Sequence, residues 1–336
     1  MDTRTSYLGL ELKNPLMVGA GPLTANAESV CRCEDAGAGA VVLKSLFEEQ
    51  IRRDNEGLDA ALEQEENWHT EVGAYREADL ALRYGSHEYL EILRASKKRA
   101  DIPVIASING TSAESWLQFA KDIEAAGADA LELNIALIAR DVFTDGATIQ
   151  TEYENIVRRV GKRISIPFSV KLVPYFSALP WTINRLCSEG AHGFVLFNRL
   201  YRPHVDPGSM HIRVDGEDKY SSRKELAPSL RTIAGVAGRV NADFAAATGV
   251  HEVEDVLGAL LVGASAVQMV TAPLTRGLNV LTEHLQGMKE WMESHEFNDI
   301  SSFRGRLSEM NSAEGTMFSR TQYVKSIAVP SGSTNR

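Results

Sequence analysis

The chain has 336 residues, of which 44% are hydrophobic and 24% charged, ordinary proportions for a protein that buries a substantial core. Its 35 basic and 45 acidic residues give a formal charge of −10, which argues against broad binding to nucleic acid or an anionic membrane but leaves room for a local basic pocket. No basic start followed by an apolar run is present, nor any apolar stretch of about 18 residues, so a cytoplasmic protein without a secretory signal or membrane span is expected.

Thr5–Leu12 alternates and ends at Asn14-Pro15, which predicts a short β-hairpin or lid. A regular alternation then begins: strand Leu16–Ala20, helix Ala27–Ala38, strand Ala40–Ser45. Residues 46–85 are polar, acidic and aperiodic and read as a long insertion, with the carboxylates of 48–66 on a solvated face. Helix His87–Arg99 and strand Pro103–Ile108 follow, and Thr111-Ser-Ala-Glu114 is a capping box opening a helix to about Ala126. Next come strand Ala130–Ile135, helix Glu152–Lys162, strand Pro167–Leu172, helix Leu179–Ser188 and strand Gly193–Asn198. A second insertion, Arg199–Arg223, carries an alternating piece whose Asp215-Gly216 suits a hairpin turn.

Helix Leu226–Val240, strand Ala242–Thr248, helix Glu252–Gly263 and strand Ala266–Val270 complete the pattern. A last helix begins near Gly277, with Leu278, Leu281, Leu285, Met288 and Met292 on one face. Eight helix-linked strands predict an α/β protein, a (β/α)8 barrel with both long insertions at the C-terminal face of the strands; a doubly wound sheet is the competitor. One barrel domain is expected over residues 1–300, with 301–336 a polar extension whose end, Ser331–Arg336, is disordered. Cys31, Cys33 and Cys187 cannot all pair and fall short of the four thiolates of an iron–sulfur cluster. On helices away from the barrel mouth, they read as reduced packing residues.

Function is expected where the strands end. Lys171 stands near the end of the apolar strand Pro167–Leu172, where an ammonium needs an anionic or electron-rich partner. The plain alternative is a lysine that snorkels or pairs with a neighbouring carboxylate. The other exits are Ala20-Gly21, Lys44-Ser45, Asn109-Gly110, Asn134, Asn198, Thr248-Gly249 and Val270-Thr271. Asn and Gly are common turn formers, and each exit alone reads as loop punctuation. Together, two lysines and three carboxamides suit a flat, hydrogen-bonding, partly anionic ligand. The seventh and eighth exits suit a phosphate: Thr248-Gly249 lets backbone approach closely, and Thr271 adds a hydroxyl.

In order, NPLMVGAG at 14–21, VLKSL at 42–46, ASING at 106–110, LELN at 131–134, SVKLVPYF at 169–176, LFNR at 196–199 and ATGVHEVEDVLGALLVGASAVQMVT at 247–271 resemble the dihydroorotate dehydrogenase family. These are FMN-dependent (β/α)8 enzymes of pyrimidine biosynthesis, and the cytosolic class 1 branch is the most similar. The resemblance implies bound FMN, a small-molecule substrate and a homodimer. It sets Ala20, Gly21, Lys44 and Ser45 along the flavin, Asn109 and Asn134 near its ring, and Lys171 by N1 and the C2 carbonyl. Asn198 would reach ring or substrate, and Thr248, Gly249, Val270 and Thr271 would hold the phosphate.

The chain also departs from the family pattern. Where members carry a catalytic Cys or Ser in the run after the strand-4 asparagine, this sequence has Leu137, which cannot take a proton. The asparagine-rich substrate loop is not recognisable in Glu63–Arg76, family glycines before helix 6 appear as Ser221-Ser222-Arg223, and Thr248 replaces one glycine of the strand-7 pair. His69, His204 and Ser222 are the candidates for a replacement base, although loop histidines are more often solvated. Three functions follow: an FMN oxidoreductase with an altered substrate, a silent flavoprotein or electron-transfer subunit working with a redox partner protein, or a Schiff-base aldolase using Lys171 or Lys44.

Overall fold

The structure is a computed structural model that describes residues 1–50, 85–110, 113–135, 137, 141–200, 203–213, 220–312 and 324. Strands β1 (Thr5–Tyr7) and β2 (Leu10–Leu12) form the expected hairpin, turned through Leu8 and Gly9 at φ 56° and 74°. Two left-handed residues match the right-handed twist of a tight hairpin. The main sheet contains β3 (Leu16–Val18), β4 (Ala40–Val42), β6 (Val104–Gly110), β7 (Ala130–Ile135), β8 (Phe168–Leu172), β9 (Gly193–Leu196), β12 (Asp243–Ala247) and β13 (Ala266–Met269). Each pairs in parallel with the next, and β13 pairs with β3. That closure makes a (β/α)8 barrel and excludes a doubly wound sheet. The second strand breaks at Leu43–Ser45 and resumes as β5 (Leu46–Phe47), also against β6.

Helices α1 (Ala27–Asp35), α2 (Ser86–Arg99), α3 (Ala113–Ala125), α4 (Gly146–Gly161), α5 (Leu179–Ser188), α6 (Ala227–Val236), α7 (Val253–Val262), α8 (Thr271–Arg276) and α9 (Asn279–Ser294) follow in chain order. No helix among the described residues is long and apolar enough to cross a membrane. Strand alternation divides the core. Leu131, Leu133, Phe168, Val170, Leu172, Phe194 and Leu196 pack on the helix side. Met17, Ala40, Val42, Ile105, Ala130, Val195, Ala245, Ala247 and Ala266 pack with the hairpin residues Tyr7, Leu8 and Leu12. These interior residues are mostly small, which leaves room for the hairpin. A Cβ on Gly193 would stand 2.6 Å from Leu8 Cδ2, and Leu8 N donates to Asp243 Oδ2 at 2.7 Å. The hairpin is therefore a fixed plug at the strand N-termini, not a lid over the strand exits.

Several boundaries differ from expectation. Helix α4 starts at Gly146 because Asp145 accepts from Thr148 N at 2.7 Å and caps it there. Helix α6 stops at Val236, where Ala237 turns extended and Gly238 follows at φ 77°. The short helix α8 has no signal in the periodicity. In the second insertion the observed hairpin pairs β10 (His204–Asp206) with β11 (His211–Arg213). The expected turn at Asp215-Gly216, Thr111 and Ser112 of the expected capping box, and residues 51–84 lie outside the described residues. The chain beyond His295 is polar in composition, yet Ile300, Phe303 and Ser308 are buried. Phe297 and Phe303 pack on Trp291 at ring distances of 5.7 and 5.1 Å, and Gly305 N donates to Leu260 O at 2.9 Å.

Candidate functional site

Lys171 on β8 is 8% exposed, Glu132 on β7 1% and Gln268 on β13 3%. The ammonium donates to Glu132 Oε1 at 3.3 Å and to Gln268 Oε1 at 2.9 Å, while Gln268 Nε2 donates to Glu132 Oε2 at 2.5 Å. The three side chains close a ring that pairs both charges. Breaking a buried pair by removing one partner typically costs about 3–5 kcal/mol, because the other charge is left uncompensated. The carboxylate neighbour foreseen as the plain alternative for Lys171 is thus Glu132. An ammonium has three N–H donors, and the ring uses two.

Asn134 lies on the same face of β7 as Glu132, two residues nearer the exit, and its Oδ1 accepts from Asn198 Nδ2 at 2.9 Å. That bond leaves the pair further donors and an acceptor for a ligand. Asn109, next to last in β6, is in register with Asn134 and is half-buried. Ser45 Oγ is 2.8 Å from Ser107 Oγ. In the gap between β4 and β5, Tyr89 OH accepts from Ser107 N at 2.7 Å and donates to Ser107 O at 3.1 Å. Lys44 is half-buried beside them, its amide donating to Thr24 O at 3.2 Å. Across the seam, a Cβ on Gly21 would stand 3.2 Å from Val270 Cγ1, so the Ala20-Gly21 exit lies against the eighth.

At the seventh exit Thr248 and Gly249 have φ of 64° and 89°. A β-branched residue in the left-handed region is strained, typically by about 1–3 kcal/mol. Its hydroxyl donates to Phe197 O at 3.0 Å. Glycine is required next: a Cβ on Gly249 would stand 2.5 Å from Leu226 N and 2.9 Å from Ser222 O. Ser221 Oγ donates to Thr271 Oγ1 at 3.0 Å and lies 3.1 Å from His251 Nε2. Asp255 steadies this corner, accepting from Arg223 Nη2 at 2.9 Å and from the amides of His251 and Glu252 at 3.0 and 2.9 Å.

The structure thus gathers Lys171, Asn134 and Asn198 near one another and sets Thr271 in a polar cluster beside Thr248-Gly249. Sequence reading missed Glu132, Gln268, Ser107, Tyr89, Ser221 and His251 as members of these networks. Glu132 had a signal, an acid in an otherwise apolar strand whose alternation shares a face with Asn134. Leu137 is half-buried and packs on the helix-side core. Nearby, Tyr153 OH donates to Ile135 O at 3.0 Å, and burial pushes its pKa well up, so this phenol is no base at neutral pH. His204 is exposed on β10, and Ser222 opens the turn before α6, its amide donating to Glu225 Oε1 at 3.1 Å. His69 lies outside the described residues. No group of three His, Cys, Asp or Glu suits a metal among the described residues.

A sequence model described as dihydroorotate dehydrogenase matches residues 3–292. The dihydroorotate dehydrogenase B (NAD(+)) catalytic subunit of Thermoplasma acidophilum is 27% identical over 310 residues, covering 90% of this chain and 98% of the relative. The protein of that name from Methanosarcina acetivorans is 26% identical over 317 residues, with 90% and 95% covered. That from Pyrococcus furiosus is 27% identical over 311 residues, with 91% and 98% covered. With the closed barrel and a match over most of its length, the chain belongs to the dihydroorotate dehydrogenase family.

Proposed function

We propose that the chain is an FMN-dependent oxidoreductase acting on a CH–CH bond of a small polar substrate other than dihydroorotate. The observation that carries this reading is the arrangement of the mouth: an ammonium and paired carboxamides, Lys171 with Asn134 and Asn198, and the Ser221–Thr271 hydroxyl pair beside Thr248-Gly249. The donor set fits the cofactor. The flavin ring edge is rich in acceptors, and the tail ends in a phosphate that hydroxyls and closely approaching backbone suit.

FMN supplies the redox chemistry when bound. The chain's own residues bind and orient. Lys171 would offer a donor and positive charge to the flavin ring, Asn109 and Asn134 would offer carboxamides, and Asn198, held by Asn134, would serve ring or substrate. Ala20 and Gly21 let a flat ring approach closely, with Lys44 and Ser45 alongside. Thr248, Gly249, Val270 and Thr271 would hold the phosphate, joined by Ser221 and His251. Leu137 argues for an altered substrate, because a hydrocarbon at that position removes no proton.

The relatives are named catalytic subunits, which supports reading this chain as one that works with a separate electron-transfer protein. Exposed Val142, Phe143, Tyr175, Val205, Met210 and Ile212, on segments following β7, β8 and β9, offer apolar surface for such a protein to cover. The test of the cofactor is direct. Purified protein is expected to be yellow and to release FMN, not FAD, on denaturation; a colourless protein that FMN cannot reconstitute overturns the reading.

A further inference from the structure

We propose that Glu132 opposes Lys171 electrostatically, so that the redox balance of a flavin at the mouth is set by the Glu132–Lys171–Gln268 ring, not by the lysine alone. This rests on the FMN reading above. Ladder register pairs Glu132 with Ser169 and Asn134 with Lys171, so the carboxylate lies one step deeper than the lysine on the interior face. Both its oxygens are engaged, one by Lys171 and one by Gln268, and Gln268 in turn accepts from Lys171. The ammonium is thereby held from two sides.

The ring is not needed to fill the barrel. Neighbouring interior positions hold Ala, Val, Ile and Met, and apolar replacements of buried ion pairs are often neutral or stabilising. A charged ring among such residues therefore points to an electrostatic role. Charges at this depth are weakly screened, so the carboxylate opposes whatever the ammonium does to a nearby ligand. The field reaches the opposite direction as well: burial first, then the charge of Glu132, pushes the Tyr7 phenol above its ordinary range. An anionic reduced flavin is favoured by Lys171 and disfavoured by Glu132, and the bound potential reports their balance.

The experiment measures two-electron midpoint potentials of flavin-replete wild type, Glu132→Gln, Lys171→Met and the double variant. Glu132→Gln is expected to raise the ratio of reduced to oxidised FMN affinity about tenfold or more, which for a two-electron couple is about 30 mV. Lys171→Met is expected to lower the potential, and adding Glu132→Gln to it to bring the potential back toward wild type. A purely structural role would lower Tm and leave the potentials unmoved. An unchanged or lower potential in flavin-replete Glu132→Gln overturns the proposal alone. If that variant does not fold, the double decides: a potential no higher than that of Lys171→Met overturns it too. Wild type that takes up no FMN overturns the cofactor reading and this proposal together.

Discussion

Asn198 Nδ2 donates to Asn134 Oδ1 at 2.9 Å, joining β9 to β7 with β8, the strand of Lys171, between them. The bond reaches across β8, so it fixes the orientation of the two carboxamides and adds nothing to the ladder. Asn198→Ala removes one partner and leaves the other unpaired, which costs about 1–3 kcal/mol. That cost is expected as a lower Tm, and loss of the Asn198 carboxamide as FMN affinity about 2- to 13-fold weaker, one neutral hydrogen bond being worth about 0.5–1.5 kcal/mol. Fluorescence titration of apoprotein with FMN checks this, and an unchanged Kd removes Asn198 from the cofactor site.

The barrel was legible because its signal is local and repeated: apolar runs, helical periodicity and Gly- or Pro-marked boundaries recur eight times. The strand exits were legible for the same reason, since each polar residue stands next to an apolar run. What could not be read was pairing across the barrel. Glu132 and Gln268 are 136 residues apart and meet only because closure brings β7 and β13 to one interior. Ser221 and His251 are 30 apart and meet only because Gly249 lets the turn at 222–226 pack against it. The hairpin was visible as a hairpin, but its place at the strand N-termini depends on Gly193 and Asp243, remote in sequence.

His284 on α9 is buried, with Nε2 3.1 Å from His251 O. Burial pushes its pKa below the ordinary value of 6.5, outweighing the carbonyl's opposite pull. Between the folded and unfolded values the unfolded chain therefore binds a proton that the folded chain does not. Its contribution is full above the ordinary value and is lost as pH falls through that window. His284→Gln is expected to flatten the dependence of the urea midpoint on pH between about pH 7 and pH 5. Equal slopes in variant and wild type would contradict the assignment.

The thiols of α1 should behave differently despite lying two residues apart. Burial pushes Cys33 up to about 11 and closes it to solvent, whereas Cys31 is half-exposed. Thiolate is the reactive form and a reagent must reach it, so alkylation of the native protein near pH 8 is expected to be much faster at Cys31 than at Cys33. Peptide mass spectrometry after timed labelling checks the ratio, and unfolding in urea should abolish the difference.

The last expectation concerns Leu137, three residues beyond Asn134 and packed on the helix-side core. Oxidising dihydroorotate needs a proton removed from a carbon next to the one that loses electrons, and a positioned base typically contributes about 10²–10⁴-fold. Leu137 supplies none, and Tyr153 is held protonated by burial. Anaerobic mixing of oxidised holoprotein with dihydroorotate is therefore expected to bleach the flavin slowly or not at all, and Leu137→Cys to accelerate it by up to that factor if the substrate still binds. Rapid bleaching of the wild type would contradict the missing-base argument and direct the search to a base on residues 51–84. Slow bleaching in both proteins, with tight FMN retained, would place the obstacle in substrate binding and favour screening other unsaturated or dihydro ring compounds by the same bleaching assay.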